Sequence, residues 1–336
     1  MYTQLFLFAR QAISRIAAAA LISSVLAGCC VIPLGGGSLP KFFEDYEEKV
    51  LDGTGPDKIL ILPIEGVITD QETAGFFGPT EESMVARIVS QLNRAREDDS
   101  IKAVILKINS PGGGVTASDI IYREIRKFRE EKNIPVVAVF MDVAASGGYY
   151  VAMAADRVFA HPTTITGSIG VIFGLLNVKE GLDKIGIKDY SITSGDNKAI
   201  GSPTQEMTEE QQKILQSIVN DMYQRFVTVV DQGRPNLQRS RIQTLADGRI
   251  YTANQAKENG LIDDVGYFDE FVQKTMALPN YSSSGKDPRL VLYTKTDRKL
   301  DNVYQTPGAE SSDLNRLLRQ LVFPGSSAKF YYLWSP

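Results

Sequence analysis

Between Lys58 and Ala160 short apolar runs alternate with stretches of helical periodicity, and this alternation leaves few folds open. Ile59-Leu60-Ile61-Leu62, Ile101 to Ile108 and Ile134 to Phe140 have the length and apolar character of buried strands. Between them, Thr80 to Arg96 sets Met84, Val85, Ile88, Val89 and Leu92 at helical spacing, and Ala117 to Lys132 sets Ile120, Ile121, Ile125 and Phe128 on one side. Arg157-Val158-Phe159-Ala160 opens a further strand. A strand that is apolar at every position must be covered on both faces. The βαβαβ order therefore predicts an α/β fold with a mostly parallel sheet covered by helices.

The second half is more helical. Thr208-Glu209-Glu210-Gln211 fits a capping box, and Ile214, Ile218, Met222, Phe226 and Val230 then recur every four residues, until Gly233 and Pro235 end the helix. Thr252 to Gln255 fits a second capping box, with Gly260 as a C-terminal stop. Residues 279–288 and 301–313 are polar and loop-like. In the C-terminal extension, 276–336, the run Phe330-Tyr331-Tyr332-Leu333-Trp334 is too aromatic to be left in water, and docking on a neighbouring subunit is the expected use.

The chain carries 36 basic and 40 acidic side chains, a formal charge of −4, and nothing in it suggests a nucleic-acid partner. The Arg123–Lys132 run is interleaved with glutamates and reads as a solvated helix face. The first 28 residues contain Arg10 and Arg15, no acid, and an apolar stretch that ends Leu26-Ala27-Gly28-Cys29. That ending has the character of a signal-peptide cleavage site and resembles the bacterial lipobox, in which Cys29 would be lipidated and become the mature N-terminus. The alternative is an uncleaved membrane helix over residues 16–34, which is uncharged and just long enough to span. Either reading puts the rest of the chain outside the cytoplasm at a membrane surface, with residues 29–57 as tether and lead-in.

Two glycine-rich motifs follow strands. Asn109-Ser110-Pro111-Gly112-Gly113-Gly114 sits at a strand's carboxyl end, where open parallel sheets place ligands and where bare backbone amides can approach an oxyanion. Ala145-Ser146-Gly147-Gly148-Tyr149-Tyr150 flanks a serine with small residues, as a tight turn that exposes a hydroxyl requires, although position 144 is alanine and the Gly-x-Ser-x-Gly pattern is absent. Taken alone, the glycine run is an ordinary turn and Ser146 an ordinary helix cap. The chain holds one histidine, His161. If Ser146 is a nucleophile and His161 is not its base, a neutral lysine is the obvious candidate.

Together with Thr166-Gly167-Ser168-Ile169-Gly170-Val171, Ser194-Gly195-Asp196-Asn197-Lys198-Ala199, Met207-Thr208-Glu209-Glu210 and Gly248-Arg249-Ile250-Tyr251-Thr252, these motifs strongly resemble the signal peptide peptidase A (protease IV) family of bacterial serine proteases, in its short, single-repeat form. The resemblance spans about residues 58–275 and implies a Clp protease/crotonase-like fold, in a single catalytic domain, with a Ser–Lys dyad. Ser146 would be the nucleophile and Lys198 the general base. The amides of Gly113 and Gly147 would form the oxyanion hole, Ser168 would orient the lysine, and His161 would be structural. It implies a membrane-anchored endopeptidase of the bacterial envelope that degrades cleaved signal peptides, and misfolded exported proteins as a second class. It also implies a homo-oligomeric ring whose subunits share active sites, with no metal or cofactor. An amine in water titrates near 10.4, so about one in 2,500 is neutral at pH 7, and desolvation must supply the rest. Asp196 works against that unless it points away. Two rivals stand beside this reading: a crotonase-like acyl-CoA enzyme using the same two amides, and a non-catalytic envelope lipoprotein scaffold.

Overall fold

The computed structural model describes residues 46–72, 82–295, 302–305 and 331–334. Cys29, the apolar segment and the 29–45 tether lie outside the described residues. The sheet is built as the apolar runs require. β2 (Lys58–Glu65), β3 (Ile101–Ser110) and β5 (Val136–Ala145) are adjacent and parallel, and β6 (Arg157–Ala160) and β9 (Asp264–Val265) extend the sheet on one side. On the other side stand β10 (Arg289–Thr294), parallel to β2, and β1 (Glu47–Asp52), antiparallel to β10. Both of these lie outside the 58–275 span, so the folded unit is wider than the sequence reading allowed. A strand's partner across a sheet leaves no local mark, and β1 and β10 are separated by most of the chain.

Alternate side chains of the central strands point to opposite faces. Leu60, Leu62, Val104, Leu106, Val136 and Ala138 face α1 (Met84–Arg96) and α2 (Val115–Lys132), packing with Ile88, Leu92, Ile121, Ile125 and Phe128. Ile59, Ile61, Ala103, Ile105, Val137 and Val139 face α8 (Phe268–Met276) and pack on Phe268 and Phe271. Each such side chain contributes about 1.5–3 kcal/mol by leaving water, enough to fix the register of both faces. Short α3 (Gly147–Ala152) is buried throughout.

The long helix α5 (Glu209–Gly233) carries the expected Thr208–Gln211 capping box, and α7 (Ala253–Glu258) the Thr252–Gln255 box. Between β7 (Ile165–Gly167) and α5 lies an exposed arm holding α4 (Lys179–Lys184). After α5 come α6 (Arg239–Leu245) and β8 (Ile250–Thr252), which pairs antiparallel with β7. Among the described residues no helix is long and apolar enough to cross a membrane.

Candidate active site

β3 and β5 are neighbours in one parallel sheet, so their carboxyl ends emerge side by side, and both glycine motifs sit at those ends. After β3 the chain turns through Pro111 into β4 (Gly112–Gly114), with Gly112 at φ 104° and its amide donating to Ser110 Oγ at 3.1 Å. One edge of β4 is taken by Ile68, whose amide donates to Gly112 O and whose carbonyl accepts from Gly114 N, both at 2.9 Å. That pairing leaves the Gly113 amide on the opposite edge. A methyl on Gly113 would lie 2.0 Å from Ile68 O, so only glycine fits.

β5 ends at Ala145, and Ser146 turns the chain into α3. Its φ of 51° and ψ of −114° lie in a region that side-chain-bearing residues rarely occupy. The turn is held by two backbone bonds: Ser146 N donates to Gly167 O at 2.8 Å, and Tyr150 N to Ser146 O at 2.8 Å. Ser146 stands at the N-cap position of α3 but its hydroxyl makes no cap bond, which removes the ordinary-cap explanation. The Oγ is buried and has no hydrogen-bond partner. A buried hydroxyl left unpaired carries a cost of about 1–3 kcal/mol, a cost that a purely structural serine would not keep.

The two glycine turns meet. A methyl on Gly147 would lie 3.1 Å from the Gly113 nitrogen and 2.6 Å from Ser118 Oγ, and a methyl on Gly112 would lie 2.7 Å from the Gly147 nitrogen. The Gly113 and Gly147 amides therefore flank one small space next to Ser146. Ser118 Oγ donates to Gly114 O at 2.9 Å and fastens α2 to this turn. Neither Ile68 nor Ser118 was singled out by the sequence: Ile68 acts through a contact between distant segments, and a serine bonded four residues back in a helix has no signature that marks it as part of a site.

Ser168 follows the Gly167 that pairs with Ala145 across β5 and β7, which brings it beside the Ser146 turn. It too is forced, at φ 49°, by its amide bond to Arg249 O at 2.7 Å. His161 is spent elsewhere: Nδ1 is 2.9 Å from Thr163 Oγ1 and the ring packs edge-on against Tyr267. Lys198 lies in the exposed arm, in a turn closed by its own amide to Gly195 O at 3.0 Å. Since Ser146 Oγ has no partner, the single chain does not join Ser146 to Lys198.

Below the serine, Tyr149 donates to Leu261 O at 2.7 Å, and burial pushes its phenol up to about 12. Tyr150 donates to Asp119, which Arg225 of α5 grips at 2.7 Å. Burial and the Asp119 carboxylate both raise the Tyr150 phenol far above its ordinary range. Both tyrosines are thus neutral struts.

The segments that build this site lie within stretches that are similar to known proteins. The family model for peptidase family S49 matches residues 128–282, and that for Clp protease matches residues 64–166. A protease of Methanocaldococcus jannaschii is 35% identical over 221 residues, covering 66% of this chain and 69% of that protein. The chain belongs to peptidase family S49. Another relative, from Enterococcus faecium and bearing the name signal peptide peptidase SppA, is 41% identical over 227 residues, 68% of this chain and 65% of its own. Protease 4 of Haemophilus influenzae is 35% identical over 248 residues, 71% of this chain. This chain spans only 38% of that protein's length, and less than two thirds of the Enterococcus one. S49 membership agrees with the α/β fold and with the resemblance read from the motifs.

Proposed function

We propose that this chain is a serine endopeptidase that acts through Ser146 and Lys198. The observation that carries the reading is the strained, buried, unpartnered Ser146 hydroxyl beside the Gly113 and Gly147 amides. Ser146 Oγ attacks the carbonyl carbon of a peptide bond and gives its proton to the neutral Lys198 amine. The carbonyl oxygen becomes an oxyanion between the two amides, which bind it more tightly than the ground-state carbonyl. Collapse breaks the C–N bond, and the leaving amine takes the proton from the lysine ammonium. Water then attacks the acyl-serine, losing its proton to Lys198; the acyl C–Oγ bond breaks, Ser146 takes the proton back from the lysine ammonium, and the acid product departs. Ser168 orients the amine.

A neighbouring subunit supplies Lys198 to Ser146 in this reading. Two features favour that assembly: the unpartnered Ser146 hydroxyl, and the apolar load on the arm bearing Lys198, where Ile192 is 100% and Tyr190 83% exposed. A monomer would not leave such residues in water without cost. The closed ring would also desolvate the amine. Signal peptides left in the membrane are the substrate class, with misfolded exported proteins second. Attachment through lipidated Cys29, or through the 16–34 helix, would hold enzyme and substrate at one surface of the bacterial envelope.

A fluorophosphonate probe at pH 8–9 tests the chemistry. Labelling should vanish in Ser146→Ala, collapse in Lys198→Ala and persist in His161→Ala. Co-assembling Ser146→Ala with Lys198→Ala subunits should restore about a quarter of the sites if serine and lysine come from different protomers. Absence of labelling in the assembled wild type removes the reading.

A further inference from the structure

A second opening lies at the other end of the sheet from the glycine turns. Those turns stand at strand carboxyl ends, whereas Asp156 and Arg157 mark the amino end of β6, beside the start of β5. There a cleft of about 640 Å³ is walled by α2, by the turn from α3 into β6, by the residues that follow α5 and by the loop before β9. Four guanidinium groups line it, those of Arg126, Arg129, Arg157 and Arg234, together with two carboxylates, Asp156 and Asp263.

Both carboxylates are already bonded to the backbone. Asp156 accepts from the Val136 amide at 2.9 Å, and Asp263 from the Val158 amide at 2.7 Å. The same Asp263 oxygen accepts from Arg234 Nη1 at 2.8 Å, and Asp156 is 3.5 Å from Arg129, which donates to Ala154 O at 2.7 Å. Arg157 gives one bond to the Asp156 carbonyl and stands 3.9 Å from Asp263, too far for another. Arg126 bonds to Tyr122, Gln232 and Glu130, and Glu130 does not line the cleft.

Arg234 is the group that these bonds leave short. Its side chain is 9% exposed, and its Nε is buried without a partner. A guanidinium carries five N–H donors and no acceptor, so the one side-chain bond to Asp263 uses little of what it offers. Buried donors without acceptors are costly and rare. An anion in the cleft would supply the missing acceptors and offset the two surplus positive charges of the wall.

We propose that this cleft binds a phosphomonoester, held by Arg126, Arg157 and Arg234. These arginines come from three separate elements, so the acceptor must offer oxygens in several directions. A carboxylate has two, in one plane. A phosphomonoester has three, takes the planar fork of arginine, and carries about −1.5 to −2 at pH 7, which matches the surplus. Inorganic phosphate would leave most of the cleft open. Met153, Leu237 and Ile262 line the rest and suit a small organic group on the ester oxygen. A soluble phosphate ester and a phosphatidic acid headgroup share this chemistry. The site uses neither Ser146 nor Lys198, so it stands or falls apart from the peptidase reading.

Isothermal titration calorimetry of the full-length protein with glycerol 3-phosphate tests it, in about 0.15 M salt so that loose surface attraction is screened. Saturable one-to-one binding is expected, at least tenfold tighter than for succinate. Arg126→Gln and Arg157→Gln alter side chains that are 39% and 53% exposed, so the fold should hold. Each should weaken binding about tenfold, the loss of a bond to a charged group, and Arg126→Gln/Arg157→Gln together about a hundredfold. No saturable heat up to about 10 mM ligand overturns the proposal. So does succinate binding as tightly, or an unchanged affinity in the double variant. Dihexanoyl phosphatidic acid distinguishes the sources, and either result upholds the site. Binding at least tenfold tighter than glycerol 3-phosphate marks a lipid headgroup, and equal or weaker binding marks a soluble ester.

Discussion

At Ser146 the chain accepts a local penalty to keep a hydroxyl in place. A backbone at φ 51° and ψ −114° costs about 1–3 kcal/mol for any residue with a Cβ, and glycine escapes it. Ser146→Gly should therefore melt higher than Ser146→Ala, by about 2–4 °C if it recovers about 1 kcal/mol. Alanine keeps the strain and loses only the hydroxyl. Scanning calorimetry of the two variants checks this, and equal melting temperatures would mean the turn is unstrained. In the sequence Ser146 stood out through its small neighbours only once the other motifs joined it in a family resemblance. Its strain was not legible, because the φ angle is imposed by Gly167 and Tyr150, which bond to it from another strand and from the next turn.

Elements are joined by a few ion pairs whose pH dependence follows from their surroundings. Lys58 at the start of β2 is 2.8 Å from both Asp98, in the turn after α1, and Glu48 of β1. Burial alone would raise the Asp98 carboxyl, but the bonds from Lys58 and Ser100 outweigh it and hold it below the ordinary carboxylate range. A depressed folded value means that this contribution is full above the unfolded value of about 3.9 and is lost as pH falls through the folded one. Asp98→Asn should therefore cost about 0.5–1 kcal/mol at pH 7, and the gap to wild type should close only in acid below about pH 4. Urea unfolding at pH 7, 5 and 3 measures it, and a constant gap at all three would refute the assignment. The capping boxes at Thr208 and Thr252 were read directly from sequence, since a cap is a contact over three residues. The pairing of β1 with β10 was not, since it joins ends of the chain that only the completed sheet brings together.

For the molecule as a whole, the arm between β7 and α5 concentrates exposed apolar side chains among the described residues, Ile185, Ile187, Tyr190 and Ile192 with them. The assembly proposed above covers them. Ile192→Lys should lower the oligomer mass seen by light scattering and reduce probe labelling with it, while the melting of the single chain stays within about 0.5 kcal/mol of wild type, because this side chain is fully exposed. Unchanged mass and labelling would remove the arm from the interface. The aromatic C-terminus was expected at a subunit boundary. It packs on β4 of its own chain instead, because the glycine strand offers an open edge and Tyr150 and Phe226 offer a flat aromatic wall.

The sequence by itself determined the layers, the parallel core, the two glycine turns and the capped helices, since each follows from periodicity or from contacts a few residues apart. It also carried the S49 resemblance, because the motifs are contiguous. Only the tertiary structure decided which amides face one another, how Ser146 is held, which strands close the sheet edge and where the aromatic C-terminus packs. Those depend on closing long loops between segments with no local preference for one another, and that choice is made by the packed molecule.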